Sequence, residues 1–204
     1  MRRDKLLITD GVLIRKDFGL PDISLSSGEV LWLETENELQ ADVFISFMLG
    51  LLDVKKGKAF IGGASIKEST RKTISYIDLS MWNPRMDSLE DFVKLLAYDN
   101  GFQVSAVMNE FKRLLSGLGT VYATDMNFDE MSIGTKRIVS SAISLAMPQL
   151  IIMLVEPFMN LDKDSILFME QEIKRIALDG TSIIILSDTQ PPVYSEHKAM
   201  RLPS

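Results

Sequence analysis

One glutamate, Glu156, closes the apolar run 150–155 and precedes Pro157. A carboxylate placed there can serve as a general base, or it can simply end a strand. Upstream, Ser132-Ile133-Gly134 opens a helical stretch. A helix N-terminus turns free N–H groups and a positive dipole end toward an anion, although the same residues also make an ordinary cap. Glu34, Glu36, Glu38 and Asp42 crowd a third segment. That many carboxylates could hold a cation, but EF-hand spacing and its turn glycine are missing, which leaves a solvated acidic loop as the plainer reading. The absence of cysteine removes disulfides, thiolate metal sites and thiol nucleophiles. The sole histidine, His197, lies in a polar tail with no second ligand type around it, so no metal site is expected.

These groups sit in a chain of 204 residues with 22 Lys plus Arg, 28 Asp plus Glu and a net charge of −6. Residues 17–54 hold eight acids and no Lys or Arg. That segment carries −8, while the other 20 acids and all 22 basic residues leave +2 for the rest. An acidic balance excludes a general nucleic-acid binder, whose affinity rests on cations neutralising phosphates. With 46% apolar residues the chain can bury a sizeable core. No stretch reaches the roughly 18 to 20 apolar residues that cross a bilayer. The most apolar segment, 142–155, is broken by Ser144, Pro148 and Gln149. The run 6–8 after the basic N-terminus is too short for a signal peptide, so the cytoplasm is the expected location, with docking onto a membrane protein left open.

Short β-branched runs alternate with longer helical periods, the pattern of a largely parallel sheet covered by helices. Runs 30–33, 74–77, 150–155 and 182–186 read as buried strands. A helix is expected over 41–52, and another from Asp164 to a stop at Asp179-Gly180. From Ser88 to about Ala146 no strand is expected. Ser88-Leu89-Glu90-Asp91 resembles a capping box, and a second helix follows over 105–116. The expected division is an α/β core over 1–87 and 147–204, with an inserted all-helical lobe over 88–146.

This order of elements resembles the nucleotide-binding domain of ABC transporters, a P-loop NTPase fold, and short motifs carry the resemblance over most of the chain. Gly28-Glu29 opens the run 30–33, and Gly50-Leu51-Leu52 stands where the helix after the family's phosphate loop ends. Residues 131–137 (Met-Ser-Ile-Gly-Thr-Lys-Arg) resemble the signature loop, Val155-Glu156-Pro157 the end of the Walker B strand, and Asn160-Leu161-Asp162 the turn after it. The phosphate loop itself should read G-x-x-x-x-G-K-S/T. At those positions stand Thr35, Glu36, Asn37, Glu38, Leu39, Gln40, Ala41 and Asp42. Both glycines, the lysine and the magnesium-binding hydroxyl are replaced. At about 7 Å and an effective dielectric of about 20, each carboxylate–phosphate pair would repel by roughly 2 kcal/mol before screening.

The remaining positions depart in the same direction. Val155 replaces the Walker B aspartate, Leu79 the Q-loop glutamine and Asp188 the switch histidine, so that of the hydrolytic set Glu156 alone remains. The resemblance then implies a degenerate subunit that takes no ATP or magnesium at its own site. It would pair with an intact ATPase subunit or a second copy of itself and dock on a membrane permease at the cytoplasmic face. Ser132 and Gly134 could serve a partner's site, although Ile133 crowds that approach. Phe18-Gly19 sits where the family stacks an aromatic on adenine, and Met81-Trp82-Asn83-Pro84 where it meets the membrane subunit; core packing is the competing reading of both. A working ATPase subunit with drifted motifs, and a soluble interaction module on the same fold, are the alternatives.

Overall fold

The computed structural model describes residues 5–15, 18–69, 73–79, 84, 86, 88–188 and 198–202. They fall into two compact units, one of Met1–Ile74, Gln149–Val155 and Ile176–Ser204, the other of Ser75–Pro148 and Glu156–Arg175. The second unit is wider than the span 88–146.

The first unit carries two sheets. One is antiparallel: β1 (Lys5–Arg15), β2 (Phe18–Gly19), β3 (Ser24–Ser26), β5 (Lys56–Ile61) and β6 (Ala64–Ser65), in the order β2-β1-β5-β6 with β3 also on β1. Leu7 pairs with Ile61 and Thr9 with Ala59, all four turned inward, while Ile8 opposite Phe60 and Asp10 opposite Lys58 alternate to the other face. The ladder breaks register between Asp10 and Leu13 around Gly11, a local irregularity of the kind that bends a strand. This sheet adds to the parallel one the sequence implies.

In the second sheet β4 (Val30–Glu34), β9 (Ser182–Ser187) and β8 (Ile151–Val155) lie side by side in that order, with β7 (Ile74–Ser75) outside β8 and β10 (Lys198–Arg201) outside β4. Of these, β10, β4, β9 and β8 run parallel. The three central strands are continuous apolar runs because both of their faces are buried. The strand β10 begins at the residue after His197, which corrects the reading of that end of the chain as polar tail alone. Between β4 and β5, α1 (Glu38–Met48) buries Gln40, Ala41, Val43, Phe44, Ile45, Phe47 and Met48, and the single turn α2 (Ile66–Ser69) follows β6. A helix apolar on nearly every side belongs in the interior.

The second unit is helical. Ser88 caps α3 (Leu89–Asp99) by accepting a hydrogen bond from the Asp91 N–H, 3.1 Å. Next come α4 (Val104–Gly117), two 3-10 turns at Val121–Asp125 and Phe128–Glu130, and α5 (Ile133–Ala146). The last helix, α6 (Lys163–Leu178), runs on until its final turn enters the first unit. Phe92 and Phe128 meet edge to face with centroids 5.9 Å apart, and Phe111, Leu114, Val139, Ala142 and Ile143 complete a core closed to solvent. Among the described residues no helix is long and apolar enough to cross a membrane.

Candidate functional site

The carboxyl ends of parallel strands are where open α/β sheets place their ligands. In the first unit Glu34 lies opposite Ser187 and Val155 opposite Leu186, so β4, β9 and β8 end within a residue of one another. Thr35, Asp188 and Val155 are therefore brought to one rim. The Thr35 N–H donates to the Ser187 carbonyl, 2.9 Å, and ties the start of the loop to β9.

Only three residues, Thr35, Glu36 and Asn37, separate β4 from α1, and their hydrogen bonds close on themselves. Asn37 is extended, with φ −163°, and its Oδ1 accepts from the Gln40 N–H at 3.0 Å. Gln40 is buried and returns its own Oε1 to the Glu36 N–H at 2.7 Å. Asn37 thus makes the N-cap, and Glu38 supplies the first-turn acid that the helix dipole favours. The expected start at Ala41 is corrected: α1 begins one turn earlier, and it ends at Met48 rather than near 52. A cap residue three positions before Gln is the signal that marks this start in the sequence. Ala41 is 5% exposed, whereas Leu39 is 64% exposed.

A single-residue change tests how far the loop depends on this exchange. Gln40→Gly is expected to destabilise the chain by about 2 kcal/mol, about 1 from the lost hydrogen bond and about 1 from a glycine in the first turn. Denaturant unfolding reads it. A variant as stable as the parent would mean that Gln40 does not hold the loop.

The acids of this rim are not left to repel one another unopposed. Arg201, the last residue of β10, lies opposite Glu34 in the ladder, with its Nη2 3.1 Å from Glu36 Oε1 and its Nε 3.7 Å from Glu34 Oε1. At the other end of the strand Lys198 Nζ lies 2.5 Å from Glu29 Oε2. The −8 of segment 17–54 is partly answered by two cations from the far end of the chain. Arg201 and Lys198 are the residues that pattern reasoning missed, since four residues after a proline-containing tail carry no legible period.

Leu79, Glu156, Ser132 and Gly134 belong to the second unit. Leu79 is fully buried, and its N–H donates to Ser140 Oγ at 2.9 Å, while the Ile77 N–H donates to Ser144 Oγ at 3.2 Å. Position 79 is thus a core position. Ser132 caps α5, its Oγ accepting from the Thr135 N–H at 3.0 Å; Ile133 is 65% exposed. A Cβ on Gly134 would lie 3.2 Å from Asn160 Nδ2, a tight approach to the side chain of the turn beside it. That turn runs from Glu156, φ 46°, to Asn160, φ 64°, and the Glu156 carbonyl accepts from the Met159 N–H. A non-glycine carboxylate in the left-handed region is uncommon. Phe18 and Gly19 make β2, half-exposed. Met81, Trp82, Asn83 and His197 lie outside the described residues, and Pro84 is buried.

Solved structures with this arrangement exist at low sequence identity. The ATP-binding subunit of an ABC transporter superposes with a TM-score of 0.79 at 18% identity, covering 97% of this chain and 86% of its own. A putative ABC transporter ATP-binding protein from Pyrococcus furiosus gives 0.74 at 23% identity, with 96% of each chain covered. The fold is that of an ABC transporter ATP-binding subunit. In sequence, a putative ABC transporter ATP-binding protein of Pyrococcus furiosus is 22% identical over 178 residues, 84% of this chain and 66% of that relative. The chain spans just under two thirds of that relative's length. No protein-family model matches the sequence.

Proposed function

We propose that this chain is an ABC-type subunit that takes no ATP at its own phosphate loop and acts as a structural or regulatory partner in a membrane transport complex. Its partners are a membrane permease subunit and either an intact ATPase subunit or a second copy of the chain. The observation that carries this reading is the closed exchange between Asn37, Gln40 and Glu36. A triphosphate is held by backbone N–H groups that a glycine-rich loop turns inward. Here two of the loop's N–H groups already bond to side-chain oxygens of the loop itself, and Ala41 and Asp42 supply neither ammonium nor hydroxyl. Val155, where magnesium would need an oxygen ligand, is a strand residue paired with Leu186. The donor set does not fit magnesium-triphosphate, which leaves Glu156 without a bound phosphate to act on.

Nucleotide affinity of the isolated chain with magnesium tests the reading. No saturable binding of ATP below about millimolar concentration is expected, which is less than about 4 kcal/mol of affinity. Binding at low micromolar strength would overturn it in favour of an ATPase subunit with drifted motifs. Co-purification without any permease would favour a soluble interaction module.

A further inference from the structure

We infer that β10 is a latch on the loop between β4 and α1, with Arg201 as its bolt. The inference rests on the reading of that loop as one that holds no nucleotide, because a loop without bound phosphate must be ordered by groups of the chain itself. Three contacts from β10 and the residue after it converge on Glu34 and Glu36. The Leu202 N–H donates to the Glu34 carbonyl at 3.0 Å, and Leu202 is buried to 1% exposure. Arg201 reaches both Glu34 and Glu36. Glu36 in turn gives its N–H to Gln40 Oε1, so the carboxylate that Arg201 holds belongs to the residue whose backbone closes the cap.

The rest of β10 is weakly held. Lys198, Ala199 and Arg201 are exposed, and Met200 is half-buried. Apart from its ladder with β4, the strand depends on Leu202 at one end and on Lys198 at the other, where Nζ donates to Glu29 Oε2 and to the Ser24 carbonyl at 2.9 Å. A short strand secured by exposed ion pairs is a part that can open locally without unfolding the sheet. When it is closed, a guanidinium stands against two of the acids at the phosphate-loop position, and the loop keeps its capped form.

Hydrogen exchange of the full chain resolves this. In Arg201→Ala the Glu36 and Leu202 amides are expected to exchange about fivefold faster, the fold-change that corresponds to losing an exposed ion pair of about 1 kcal/mol. The Phe44 amide in α1 and the Ile143 amide in the second unit should keep their parent rates. Glu36→Gln should speed the same two amides, and adding it to Arg201→Ala should bring little more, as expected for two halves of one contact. Salt of about 0.5 M should move the parent toward the variant. Rates at Glu36 and Leu202 within twofold of the parent, or an equal acceleration at Phe44, would overturn the latch. ATP affinity is measured separately: if the parent chain binds ATP the proposed function falls, while the latch still stands or falls on the exchange rates.

Discussion

Gly57→Ala is expected to cost at least about 4 kcal/mol, a large share of the roughly 5 to 15 kcal/mol that holds an ordinary domain folded. Gly57 lies in β5 with φ +87°, a conformation that alanine adopts only under strain of about 1 to 3 kcal/mol. Worse, a Cβ at this position would lie 2.3 Å from the Gly11 carbonyl oxygen and 2.5 Å from that of Asp10, both backbone atoms of β1. No side chain can turn aside, so β1 and β5 would have to part where they pair through Asp10 and Lys58. Gly62 provides the control: its φ is +59°, but nothing lies within 4 Å of its would-be Cβ. Gly62→Ala should cost only the left-handed penalty of about 1 to 2 kcal/mol. Thermal or urea unfolding of the two variants should separate them by a few kcal/mol. Equal stabilities would mean that β1 and β5 do not approach as closely as described.

The same glycines explain what was not legible in the sequence. Val30–Glu34, Ile151–Val155 and Ser182–Ser187 announce themselves because strands buried on both faces are unbroken apolar runs. Lys5–Arg15 and Lys56–Ile61 do not, since Asp10-Gly11 reads as a turn and Lys56-Gly57-Lys58 as a solvated loop. The positive φ of Gly11 and Gly57 is spent inside a ladder, where tertiary pairing decides, instead of at a hairpin. Helix ends were legible where a side chain caps them, as at Ser88. The start of α1 is misplaced by its apolar period, which begins only after Asn37 and Gln40 have already capped the helix.

That misplacement bears on function. Set against the phosphate-loop motif, residues 35–42 show only departures. In three dimensions the same stretch is held by a local hydrogen-bond exchange and, from β10, by a cation. The acidic loop is therefore a settled piece of structure more than a damaged phosphate site. Likewise Leu79 fills a core position and Gly134 leaves room for Asn160, so both positions have packing roles that need no nucleotide.

Glu172→Gln is expected to destabilise the chain by about 2 kcal/mol at pH 7, and the loss should disappear on acidification. Glu172 of α6 is 6% exposed and lies between two arginines. Arg113 Nη1 donates to its Oε1 at 2.9 Å and Arg175 Nε to its Oε2 at 2.8 Å, and both arginines also bond Glu110 on α4. Removing one charge from a buried pair costs about 3 to 5 kcal/mol. The guanidiniums here remain 42% and 45% exposed, so water offsets part of that loss. Burial pushes the Glu172 carboxyl up, but the hydrogen bonds and charges of Arg113 and Arg175 outweigh it and hold the group below its ordinary 4.5. Glu110 is held low as well, first by its hydrogen bond from Arg113. A carboxylate depressed on folding contributes stability that is complete above its unfolded pKa and is lost as the pH falls through the folded one. Below that window Glu172 is protonated, a neutral group of the same shape as glutamine, and the parent loses the advantage that the variant never had. Urea unfolding at neutral pH and near pH 3 should show the gap closing. A gap of equal size at both would place the contribution of Glu172 in its packing and not in its charge.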